Sequence, residues 1–154
     1  MRTRTVLASL LVMFAGAALC FAADPNLGTW KLNESKSKIP ADGTKNNTVV
    51  YTAAGDSVKV TIDGVSGDGK PIHNEWTGKY DGKDYPVTGD PGSDMRSLKM
   101  VSANTFAFTV KQKGQVTITG QIKVAADGKS RTVTANRTDA KGNKTTSTAV
   151  YDKQ

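Results

Sequence analysis

Few residues in this 154-residue chain carry chemistry, and their spacing decides what they can do. His73 is the one histidine, with Glu75 two residues on. On an extended strand the two share a face, as a general base or a pair of metal ligands would. Zinc requires three or four protein ligands, so the pair is too small, and a polar solvent-facing stripe accounts for it better. Asp63, Asp68, Asp81, Asp84, Asp90 and Asp94 all fall in or beside Gly-rich segments. Carboxylates there serve turn geometry, and their spacing does not match a calcium-binding loop. The chain has one cysteine, Cys20, no Gly-x-Ser-x-Gly nucleophile elbow and no Gly-x-Gly-x-x-Gly opening a helix. No convergent acid, base or nucleophile emerges, so a non-enzymatic protein without a cofactor or metal is expected.

The elements that would position these residues are strands. Val58, Val60 and Ile62 alternate with Lys59 and Thr61. Phe106, Phe108 and Val110 line one face of Thr105 to Val110, and Val116, Ile118, Ile122 and Val124 alternate along Gln115 to Val124. This period of two marks strands with one buried face. Further strands are expected near Trp30, Thr48 to Thr52, Ile72 to Tyr80, Lys83 to Val87, Met95 to Val101, Ser130 to Thr138 and Lys144 to Tyr151. Asp81-Gly82 reads as a tight hairpin turn, and Gly120, in mid-strand, as a bend or bulge. No segment has a helical period. Sequential hairpins of this kind form an antiparallel up-and-down meander, which loses its edges by closing into a barrel. A two-sheet β-sandwich is the alternative.

The N-terminus has a different pattern. Arg2 and Arg4 precede a nearly unbroken apolar run from Val6 to Leu19, then Cys20-Phe21-Ala22, which puts small side chains at the −3 and −1 positions of a cleavage after Ala22. The run is shorter than the roughly 20 residues a membrane span requires. It reads as a signal peptide over 1–22, cleaved near Ala22, which leaves 23–154 as a single domain. Leu19 before Cys20 argues against lipidation of that cysteine. The mature chain would be exported, to the periplasm or beyond, with no transmembrane span. Losing Arg2 and Arg4 leaves 19 basic residues against 14 acidic ones, a net charge of +5. The lysines are dispersed without interleaved aromatics, so nucleic acid is not an expected partner.

Gly28-Thr29-Trp30 near the start of the mature chain, followed by a long polar connection and a meander, resembles the calycin superfamily of lipocalins, fatty-acid-binding proteins and avidins. Tyr80 to Pro91 and the ending Val150 to Gln154 are similar to small exported bacterial proteins described as lipocalin-like. The resemblance implies a lipocalin-like barrel of roughly eight to ten strands. It gives Gly28 and Trp30 a structural role and places a basic residue across the indole. Arg137 shares parity with Val133 and Ala135 and is the first candidate, ahead of Arg131 and Lys144. With only two tryptophans, an avidin-like biotin site is not implied.

Trp76, Tyr80, Leu98, Met100, Phe106, Phe108, Ile118 and Ile122 would face the interior. Either they fill it, or they line a cavity for a small apolar or amphipathic ligand, with Arg96 or Arg137 meeting an acidic head group. Trp76, Tyr80, Arg96, Phe106, Phe108 and Arg137 are therefore the candidate ligand contacts. The rival is a dry barrel acting as a structural or protein-interaction domain, for example an inhibitor in the cell envelope.

Overall fold

A computed structural model describes residues 24–139 and 141–154. The proposed signal segment 1–22 lies outside them. Ten strands follow one another: β1 (Gly28–Leu32), β2 (Lys45–Ala54), β3 (Ser57–Val65), β4 (Pro71–Gly78), β5 (Tyr85–Thr88), β6 (Met95–Ser102), β7 (Thr105–Gln112), β8 (Gln115–Val124), β9 (Ser130–Thr138) and β10 (Lys144–Lys153). Each pairs antiparallel with its sequence neighbour, and β1 pairs with β10, so the meander closes. This is the up-and-down, lipocalin-like barrel; the sandwich is excluded.

Alternation explains the wall. Val58, Val60 and Ile62 are all buried, and their rung partners Gly78, Trp76 and Asn74 are buried too. Trp30, Trp76, Phe106, Leu98 and Val124 are at most 2 % exposed and form the heart of the core. Met100, expected inside, is exposed. It sits where the β6–β7 register slips, between Met100 and Ser102, at the end of the strand.

Gly120 is not at a bulge. It lies in a regular rung between Phe108 and Ala135. The register shift on β8 comes nearer its start, where Val110 pairs Ile118 but Lys111 pairs Val116. Gly120 is required by proximity: a Cβ there would lie 2.2 Å from the Thr134 carbonyl oxygen and 2.6 Å from the Phe108 ring.

Asp81-Gly82 is likewise not a two-residue hairpin. β4 ends at Gly78 and β5 begins at Tyr85. The chain between them pairs with β6: Gly82 N–H donates to the Leu98 carbonyl, and Met100 N–H donates to the Tyr80 carbonyl. Asp81 folds its carboxylate onto the Lys83 N–H and accepts the Tyr85 hydroxyl. These local bonds hold a wider turn and leave β5 the shortest of the four- to ten-residue strands.

Candidate ligand site inside the barrel

One end of the barrel is plugged by the segment before β1. The Trp30 indole N–H donates to the Asn26 carbonyl at 2.7 Å, and Asn26 is fully buried. Arg131 lies over Trp30 at 4.7 Å and also faces Tyr51 at 4.8 Å and Tyr151 at 5.1 Å. Its Nη1 reaches the Asn26 side-chain oxygen at 3.3 Å. A guanidinium ringed by aromatic faces is stabilised by their quadrupoles. Burial pushes the Tyr151 phenol up to about 12. Tyr80 donates its hydroxyl to Asp24 at 2.6 Å, and burial, then that bond, raise its pKa.

The basic residue across the indole is therefore Arg131, not Arg137. Both point to the same side of β9, but Arg131 is on the Val124 rung and Arg137 on the Ile118 rung. Arg137 lies in solvent. Gly28 has φ +117 and lies against Lys153, where a Cβ would be 2.8 Å from Cε. That lets Lys153 Nζ come within 5.1 Å of the Trp30 ring centroid. Tyr51 and Tyr151 were not among the expected interior residues, although Tyr51 shares parity with buried Val49.

Farther along the interior the wall side chains become small. Gly120, Ala135 and Ser147 occupy one inward row, and Val133 pairs with Ala149 beside it. These residues and Phe108 are only half-buried although they point inward. Phe106, by contrast, is fully buried and stacks obliquely on Tyr80, 4.8 Å between centroids. The expected contacts thus separate. Tyr80 and Phe106 belong to the plugged end, Trp76 and Phe108 to the wall beyond it, and Arg137 to the solvent-exposed end of β9.

Arg96 has an unusual environment for a charged residue. Its side chain is 12 % exposed, and among the described residues its guanidinium makes no hydrogen bond. Asp90 Oδ2 is 3.9 Å from Nη2, an ion-pair distance beyond hydrogen-bond reach. Burial pulls the Arg96 pKa down, while Tyr51 and Asp90 oppose that; an arginine stays charged regardless. Its backbone is pinned, because the Trp76 indole N–H donates to the Arg96 carbonyl at 2.9 Å. Asp90 is held by its own turn, accepting from Gly92 N–H at 2.8 Å and from buried Ser93 Oγ at 2.7 Å. Next to it, Gly89 lies against the His73–Asn74 backbone. Asn74 is 3 % exposed and its side-chain oxygen has no hydrogen-bond partner among the described residues.

His73 and Glu75 do not form a site. His73 Nδ1 meets Asp63 at 2.6 Å and Glu75 meets Lys59 at 2.9 Å, all exposed on the outer wall. That position removes the cleft a catalytic histidine would need. The described residues contain no group of three metal-ligating side chains. A half-open cleft of about 230 Å³ lies at the plugged end beside Asp24, Leu27, Lys79 and Tyr80, and does not include Arg96. No helix among the described residues is long and apolar enough to cross a membrane.

Two solved structures are similar in outline. One is EF1p2_mFAP2b bound to DFHBI, 13 % identical, with 86 % of this chain and 97 % of that one covered and a TM-score of 0.48. The other is a redesigned β-barrel, mFAP1, bound to DFHBI, 15 % identical, covering 86 % and 98 % with a TM-score of 0.45. No protein-family model and no curated protein matches the sequence.

Proposed function

We propose that this is an exported, non-enzymatic barrel that binds a small amphipathic molecule inside, its polar head on Arg96 and its apolar part against Phe108 and the small-residue row. The observation that carries this reading is the state of Arg96. A guanidinium largely withdrawn from bulk water and without a protein hydrogen bond is costly, and a ligand that supplied acceptors would recover part of that cost. Its pinned backbone and the fixed Asp90 make the arrangement preorganised. Half-burial of inward-facing Ala135, Ser147 and Ala149 supports solvent access to that part of the interior. Export rests on the sequence pattern of residues 1–22.

The test is native mass spectrometry of protein purified from its own export pathway, followed by calorimetric titration with amphiphiles. A stoichiometric adduct lost on denaturation, and titration weakened at least tenfold by Arg96→Ala, support the carrier. A clean apo mass with no uptake of any amphiphile refutes it. A mature mass that still includes residues 1–22 refutes cleavage. The dry interaction barrel is the second reading, favoured by the fully packed end around Trp30, Phe106 and Val124; it would lead if no amphiphile binds.

A further inference from the structure

Arg96 faces a fixed charge, Asp90 in the connection between β5 and β6, and that charge restricts what can bind. Asp90 does not owe its position to Arg96. Its two oxygens are fixed by Gly92 N–H and by Ser93 Oγ, and Ser93 is itself 5 % exposed. The carboxylate is thus set 3.9 Å from the guanidinium. At that separation each charge offsets the field of the other, but neither fills the other's hydrogen-bonding capacity. A carboxylate has about four lone-pair sites, so two remain open on Asp90. The guanidinium has all its N–H donors open toward the described residues. Both side chains keep some access, 12 % and 27 %.

We propose that the head group taken by this barrel is a short-spaced zwitterion, its anionic group on Arg96 and its cationic nitrogen on Asp90. The proposal rests on the carrier reading above and narrows its ligand class. The Arg96–Asp90 pair is already neutral. A simple anion would leave a net negative charge in a low-dielectric interior beside a fixed carboxylate, an expensive placement. A zwitterion adds no net charge: its anionic group accepts from the Arg96 guanidinium and its ammonium donates to the Asp90 carboxylate. Because Nη2 and Oδ2 are so close, the ligand's two charges must also be close, as in an amino-acid or betaine head with one carbon between nitrogen and carboxylate. Asn74 Oδ1, without a partner among the described residues and on the wall against which Gly89 packs, is a further acceptor on that side.

Pentadecanoate and N-dodecylglycine test this, since they have the same number of chain atoms before the carboxylate and differ only in that an ammonium nitrogen replaces one methylene. Calorimetric titration of the full mature protein is expected to show N-dodecylglycine binding about tenfold or more tighter than pentadecanoate, a difference of the size one desolvated charge contact gives. In Asp90→Asn, whose amide oxygen can still accept in the turn, that preference is expected to vanish or invert. Equal or tighter binding of pentadecanoate to the wild type overturns the zwitterion proposal and leaves the carrier standing. So does a preference that Asp90→Asn leaves intact. If neither amphiphile binds, or Arg96→Ala changes nothing, the carrier reading fails. The wild-type ratio needs no variant, so a poorly folded Asp90→Asn would not rescue the idea.

Discussion

Arg131 stands 4.7 Å over the Trp30 indole and is only 2 % exposed, with no acidic side chain paired to it among the described residues. Its compensation is three aromatic faces and one amide oxygen. Arg131→Ala would empty the cage and leave Asn26 without that contact. Losing a buried network of this kind costs about 2–4 kcal/mol. Arg137→Ala, in solvent at the other end of the strand, should stay within about 0.5 kcal/mol. Urea unfolding of the two variants decides it, and equal costs would count against a cage that holds the plugged end.

The same pair of arginines shows how far the sequence could be read. Parity places both on the inner face, and that is correct for each: their rung partners Val124 and Ile118 sit on the inward face of β8. Parity does not give height. Which arginine reaches Trp30 depends on strand tilt and on closure of β1 against β10, a property of the whole barrel. Val58, Val60 and Ile62 were legible because burial there is decided within a strand. The wide connection after Gly78 was not, since its backbone bonds go to β6, distant in sequence. Asp90 reads as a turn residue and is one. Its second relationship, with Arg96, exists only after β5 and β6 pair.

Gly120 separates a packing role from a conformational one. Its Cβ would meet a backbone oxygen at 2.2 Å and the Phe108 ring at 2.6 Å. The ring can move, but the Thr134 carbonyl is held in the β9 wall. Gly120→Ala should destabilise by about 1–3 kcal/mol, the usual cost of forcing extra volume into a packed site. Near-UV circular dichroism would report the displaced ring. An unchanged midpoint and spectrum would mean that the wall yields more easily than a closed sheet should.

Alkaline pH should unfold the barrel from the plugged end. The Tyr80 phenol is raised above its ordinary 10.0 by burial and by Asp24, and Tyr151 is raised to about 12 by burial. Above pH 10 the unfolded chain releases phenolic protons that the folded chain retains, so stability falls as pH rises. The contribution is complete below pH 10 and is lost above it. Stability measured between pH 8 and pH 12 should decline less steeply in Tyr80→Phe than in the wild type. Parallel declines would remove Tyr80 from the explanation.

Ser93 sets the geometry on which ligand choice depends. Its hydroxyl, 2.7 Å from Asp90 Oδ2, competes with Arg96 for that oxygen. Ser93→Ala removes the hydroxyl and leaves the Asp90 carboxylate anchored through Gly92 N–H, while Ser93 N–H still donates to the Asp90 backbone carbonyl. The stability cost should be about 1 kcal/mol, that of one ordinary hydrogen bond. The freed oxygen can then close on the guanidinium and form the direct bond it lacks. Arg96 would become internally satisfied, so N-dodecylglycine should bind several-fold more weakly to Ser93→Ala while the fold persists. Urea unfolding and calorimetric titration on the same preparation separate the two effects. Undiminished binding despite the lost hydroxyl would mean that Asp90 is held at its distance by the loop backbone, not by Ser93.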